Sequence, residues 1–157
     1  MTLERIIKES GVLATKGCIS KEIVLVCNDS RKVIPGSLFV AVKGFATDGH
    51  DYIATAIEQG ACAIVYENKE KAEAQLSRIE NSEGVTMVEV ASARYALAII
   101  AANFYDNPSH KLTLVGITGT NGKTTTVTLL HRMFTAMGYS CGLLSTIANY
   151  VGTKGSE

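Results

Sequence analysis

The residues Gly119-Thr-Asn-Gly-Lys-Thr-Thr125 carry the clearest chemistry in the sequence. Glycines at a turn let backbone N–H groups face inward and approach phosphate oxygens closely. A helix starting at Lys123 would aim the positive end of its dipole at the same point. The Lys123 ammonium would then reach the β- and γ-phosphates of a nucleoside triphosphate, and the Thr124 hydroxyl would sit on Mg²⁺. The strict spacing G-x-x-x-x-G-K asks for glycine at position 117; Ile117 stands there, and the nearest glycines are Gly116 and Gly119. The loop is therefore a variant. A plain glycine-rich turn with an exposed lysine is disfavoured by what flanks it. An apolar, strand-like run, Leu112 to Thr118, precedes it. After it, Val127, Leu130, Phe134 and Met137 recur at helical spacing over Lys123 to Met137.

A second group of polar residues lies near the amino terminus: Asn28-Asp-Ser-Arg31 and Thr47-Asp-Gly-His50, on either side of the apolar Leu38 to Val42. Asp29-Ser30-Arg31 reads either as a ligand-contacting turn or as a turn closed by its own ion pair. Asp48-Gly49 reads as a turn, and His50 as a cap of the next helix or a solvated side chain. His131, within the predicted helix after the loop, reads as a packing or surface residue, and His110 as part of a linker. Cys18, Cys27, Cys62 and Cys141 form no CxxC pair and no zinc set, and read as reduced thiols.

The elements that would position these residues alternate. A short helix is predicted over 3–8, strands over 22–27, 38–42, 61–66 and 85–90, and helices over 51–60 and 92–105, the latter with Ala93, Leu97, Ile100 and Phe104 on one face. Residues 68–83 are charged and helix-permissive. This order predicts an α/β domain over residues 1–106. A linker follows over 107–111, where Pro108 stops the helix, and then the start of a P-loop nucleotide-binding domain over 112–157, with its next strand over 140–147.

Fifteen basic residues balance fifteen acidic ones in this 157-residue chain, which excludes nucleic-acid binding or membrane-surface attachment driven by bulk charge. Hydrophobic residues make up 46%, enough for a real core. No apolar run is long enough to span a bilayer and the amino terminus has no signal sequence, so a cytoplasmic protein is expected.

The stretch Gly116-Ile-Thr-Gly-Thr-Asn-Gly-Lys-Thr-Thr-Thr126 resembles the ATP loop of the Mur ligase family, in which the loop is one residue longer before the Gly-Lys step. Asn28-Asp-Ser-Arg31, Val33-Ile-Pro-Gly-Ser-Leu-Phe-Val-Ala-Val-Lys-Gly44, Thr47-Asp-Gly-His50 and Gly60-Ala61 resemble, in order, the UDP-binding domain of the same family. The loop, with Phe104-Tyr105 and Pro108-Ser109 before it, is most similar to the branch that adds the third amino acid to UDP-N-acetylmuramoyl-L-alanyl-D-glutamate. The branch that adds D-alanyl-D-alanine is the alternative. A non-catalytic UDP-sugar or P-loop binding module is a third reading, though it has no use for the 28–31 and 44–50 motifs.

The resemblance implies an ATP- and Mg²⁺-dependent, ADP-forming amide ligation in peptidoglycan synthesis. A carboxylate is a poor electrophile until its oxygen becomes a leaving group, so the family forms an acyl phosphate that the incoming amine attacks. It implies an ATP site at Gly119, Thr120, Asn121, Gly122, Lys123, Thr124 and Thr125, with Lys123 catalytic and Thr124 on the metal. It also implies contacts from Ser30, Asn28, Phe45, Ala46 and Thr47 to UDP-N-acetylmuramoyl-dipeptide, the last three through their backbone. The incoming amino acid is the other substrate. The family's later metal ligands and its amino-acid-binding domain have no counterpart here, and the only acidic residue after Thr124 is Glu157. An amino-terminal fragment that does not ligate by itself is expected. The full-length enzyme would be a monomer, while Val115, Ile117, Leu143 and Ile147, uncovered, would let the fragment self-associate.

Overall fold

The structure is a computed structural model that describes residues 1–79, 84–152 and 154–156. Residues 80–83, at the end of the predicted helix-permissive segment, and Glu157 lie outside the described residues. The chain divides into two compact units, Met1–Leu112 and Thr113–Glu157.

In the first unit, five strands form one sheet: β1 (Val12–Lys16), β2 (Leu25–Cys27), β3 (Ser37–Val40), β4 (Ala61–Tyr66) and β5 (Thr86–Val90), in the order β1-β5-β4-β3-β2. β2 to β5 are parallel and β1 pairs with β5 antiparallel. The helices are α1 (Leu3–Ile6), α2 (Ile53–Glu58), α3 (Lys69–Leu76) and α4 (Ala93–Phe104).

Alternation along the strands sends side chains to both faces of the sheet. Leu38, Val40, Ala63, Val65, Val88 and Val90 pack with Leu3 and Ile6 of α1 and with Ala93, Ala96 and Ile100 of α4. Phe39, Ile64 and Met87 point the other way, onto Ile53, Ala56 and Ile57 of α2 and Ala72 of α3. The result is the α/β architecture read from the sequence, with near-continuous apolar strands because both faces are covered.

Some element boundaries differ. The predicted strand 22–27 pairs regularly only over Leu25–Cys27, and Glu22 makes a lone bridge to Thr2. β1 is absent from the sequence reading; it is an edge strand whose five side chains are all exposed, so it carries no alternating pattern. Residues 107–111 contain a 3₁₀ turn, Pro108–Lys111, entered through Asn107 in the left-handed conformation.

The second unit holds α5 (Lys123–Ala136) and a three-stranded meander, β6 (Gly142–Leu144), β7 (Asn149–Val151) and β8 (Lys154–Ser156). Two expectations are corrected here. Residues 112–118 form no strand, because no neighbouring strand among the described residues offers their backbone a ladder. The strand predicted over 140–147 is only Gly142–Leu144, and it turns into an antiparallel hairpin through Ser145, whose hydroxyl bonds the Ala148 carbonyl (2.8 Å). Along α5, Val127, Leu130 and Phe134 are half-buried, but Met137 at the helix end is exposed.

Candidate functional sites

The phosphate-loop residues lie in the second unit. Gly122 is the N-cap of α5 with φ 77°, and Gly119 has φ 144°; both values favour glycine. The first backbone bond of the helix runs from the Thr126 N–H to the Gly122 carbonyl (2.9 Å). Among the described residues, no backbone carbonyl accepts from the amides of Gly122, Lys123, Thr124 or Thr125. Four donors at the positive end of a 14-residue helix are thus left for an anion.

A Cβ built at Gly122 meets nothing within 4 Å, so the approach is open. The Lys123 ammonium folds onto the loop and donates to the carbonyls of Gly119 and Thr120. The Thr124 hydroxyl has no hydrogen-bond partner among the described residues, whereas its carbonyl accepts from the Thr128 hydroxyl (2.7 Å). Thr120, Asn121 and Thr125 are exposed. Thr124, Thr125 and Arg132 border a shallow hollow beside the loop. This donor set fits a phosphate chain with a hydroxyl-bound Mg²⁺. The described residues hold no group of three His, Cys, Asp or Glu side chains able to bind a metal. His131 stacks on Tyr150 (5.4 Å between centroids), a packing role; its Nε2 has no partner among the described residues.

The predicted UDP contacts lie in the first unit, at the carboxyl ends of adjacent parallel strands. This is the edge where open α/β sheets bind ligands. β2 ends at Cys27 and leads into Asn28, which is exposed, and Ser30, which is buried in a 3₁₀ turn with its hydroxyl unbonded among the described residues. The turn is capped by Asp29, whose carboxylate accepts from the Arg31 backbone N–H (3.1 Å) and from its guanidinium twice (2.9 and 2.8 Å). Those bonds hold the Asp29 carboxyl down to about 2. β3 ends at Val40 and leads to Phe45, Ala46 and Thr47, all exposed, in a loop closed by a Gly44 N–H bond to the Thr47 carbonyl (2.9 Å).

Sequence reasoning missed what holds this loop. His50, expected as a cap or solvated, is 1% exposed. Its Nε2 accepts from the backbone N–H groups of Glu67 (3.2 Å) and Asn68 (3.1 Å), in the turn after β4. Nε2 is therefore unprotonated, and Nδ1 carries the proton it donates to Asp48 (2.6 Å). Asp48 also accepts from the His50 backbone (3.0 Å) and from Lys71 of α3 (2.8 Å). Burial works against a charged Asp48, but the hydrogen bonds from Lys71 and His50 outweigh it and hold the carboxyl well below the usual range. Glu67 in turn accepts from the Ala93 N–H at the start of α4 (2.8 Å). Arg94 returns to the loop, donating to the Lys43 carbonyl (3.2 Å) with its guanidinium 5.7 Å from the Phe45 ring centre. The spacing Asp48-x-His50 was the available signal, but its partners lie in a different turn.

Residues 22–105 match the Mur ligase family, catalytic domain. The chain belongs to the Mur ligase family. The UDP-N-acetylmuramoyl-L-alanyl-D-glutamate--2,6-diaminopimelate ligase of Cytophaga hutchinsonii is 46% identical over 154 residues, 98% of this chain and 30% of that protein. The protein of the same name from Phocaeicola vulgatus is 48% identical over 151 residues, 96% of this chain and 30% of that one. This Mur ligase chain thus spans about 30% of the length of these curated relatives. Among solved structures, the MurF ligase of Thermotoga maritima in complex with ADP is similar with a TM-score of 0.51 and 35% identity, over 71% of this chain and 23% of that one. MurF from Acinetobacter baumannii gives 0.54 and 26%, over 74% and 23%. No helix among the described residues is long and apolar enough to cross a membrane.

Proposed function

We propose that residues 1–157 are the UDP-substrate-binding part and the phosphate loop of a ligase that adds 2,6-diaminopimelate to UDP-N-acetylmuramoyl-L-alanyl-D-glutamate. The observation that carries this reading is the 46% identity along 98% of the chain to a protein named for that reaction. It exceeds the 26–35% identity to the MurF structures, which disfavours the D-alanyl-D-alanine branch.

In this reading the free amides from Gly122 to Thr125 hold the phosphates of ATP and the Thr124 hydroxyl binds Mg²⁺. Lys123 leaves its loop carbonyls to neutralise the terminal phosphate. Bound ATP supplies the phosphoryl group that makes a carboxylate oxygen a leaving group. Ser30, with Asn28 beside it, offers its unbonded hydroxyl to the UDP moiety. The loop Phe45 to Thr47 presents its backbone to the uridine. The protein would work in the cytoplasm, where the nucleotide precursors are made.

Thermal unfolding tests the assignment. UDP-N-acetylmuramoyl-L-alanyl-D-glutamate should raise the melting temperature of residues 1–157 and the corresponding tripeptide should raise it less. A larger rise with the tripeptide would move the protein to the D-alanyl-D-alanine branch.

A further inference from the structure

We propose that His50 is a positioning residue for substrate binding: it clamps the loop Lys43–Thr47 against the turn after β4, so that the loop's backbone is already set when the uridine arrives. The inference rests on the reading of that loop as a uridine contact. His50 touches no ligand atom in it.

The loop cannot hold its own shape. Lys43 to Thr47 are all exposed, and one internal bond, Gly44 N–H to the Thr47 carbonyl, closes them. The shape is imposed from the base. The Gly49 N–H donates to the Val42 carbonyl (2.9 Å), bringing the two arms of the loop together. A Cβ on Gly49 would stand 2.7 Å from the Val42 nitrogen and oxygen, so the arms touch backbone to backbone. Immediately beyond, His50 is driven into the protein and uses both ring nitrogens: Nδ1 on Asp48, Nε2 on the Glu67 and Asn68 amides.

An imidazole bonded on both sides has one tautomer and one ring orientation, and it fixes the two segments it joins. A solvated cap would not have needed burial. A purely apolar anchor would have left the two turn amides without an acceptor. A preset loop binds more tightly because its ordering entropy is already lost.

Isothermal titration of residues 1–157 with uridine diphosphate tests the clamp, each protein being checked for folding by circular dichroism at the titration temperature. The expected result is an affinity loss of about tenfold for His50→Ala, equivalent to ~1.4 kcal/mol. His50→Gln, whose amide oxygen can still accept from the turn, should recover part of it. A merely structural histidine would lower the melting temperature of the folded variants and leave affinity unmoved, and that result overturns the proposal. If His50→Ala does not fold, Lys71→Met, on the half-exposed arm of the same network, should still weaken binding by about two- to threefold; unchanged affinity there overturns it equally. Absence of binding by the unsubstituted chain is a different failure, which removes the substrate reading itself.

Discussion

Lys123 is tied to its own loop before any phosphate arrives, so its ammonium must exchange two carbonyl partners for an anion. A hydrogen bond to a charged group contributes about 1.5–3 kcal/mol. Lys123→Met should therefore weaken Mg·ATP binding about 10- to 100-fold, as read by titration calorimetry. Asp48 makes the matching case in the first unit. Its folded carboxyl lies below the ordinary value near pH 4, so its contribution to stability is full above that value and is lost as pH falls further. The melting temperature should drop below about pH 4, and Asp48→Asn should flatten that drop while lowering stability at neutral pH. The phosphate loop was legible because its glycines, lysine and threonines are contiguous. His50 was not, because its acceptor role depends on amides 17 residues on, brought near by the sheet.

The elements most legible in the sequence are those with two independent signals. β4 is an apolar run stopped by polar residues, and α4 has both a helical apolar face and Ser92 capping the Tyr95 N–H. The apolar run 112–118 looked equally strand-like, yet strand is a property of pairing, and the sequence of one segment cannot supply its neighbour. The tight base of the 43–48 loop belongs to this scale. Gly49→Ala would push a methyl group into Val42 backbone, where no rotamer change relieves it. We expect a cost of about 1–3 kcal/mol in urea unfolding, confined to the first unit.

Over the whole molecule, the two units differ in how well they hide apolar surface. The first buries nearly all of the core residues, on both faces of its sheet. In the second, Leu114, Val115, Leu129, Leu144, Ile147 and Val151 are each more than 60% exposed, and among the described residues Leu143 is the one buried hydrophobe. Sedimentation velocity should therefore show concentration-dependent association of residues 1–157, reduced by Leu144→Lys combined with Ile147→Lys. The sequence foresaw exposure at Val115 and Ile147 but not the burial of Leu143, which depends on an antiparallel hairpin that alternation over three residues cannot announce.

The bonds from His50 to the turn after β4, from Glu67 to the start of α4, and from Arg94 back to Lys43 close a circuit around the exposed loop. The buried His50 end is the stronger fastening and the exposed Arg94 end the weaker, so losing Arg94 alone leaves the loop held, whereas a loop already loosened at His50 leans on Arg94. Arg94→Ala alone should then hardly alter uridine diphosphate affinity, yet combined with His50→Gln it should cost more than the two separate losses added together, a coupling that a double-mutant cycle would expose.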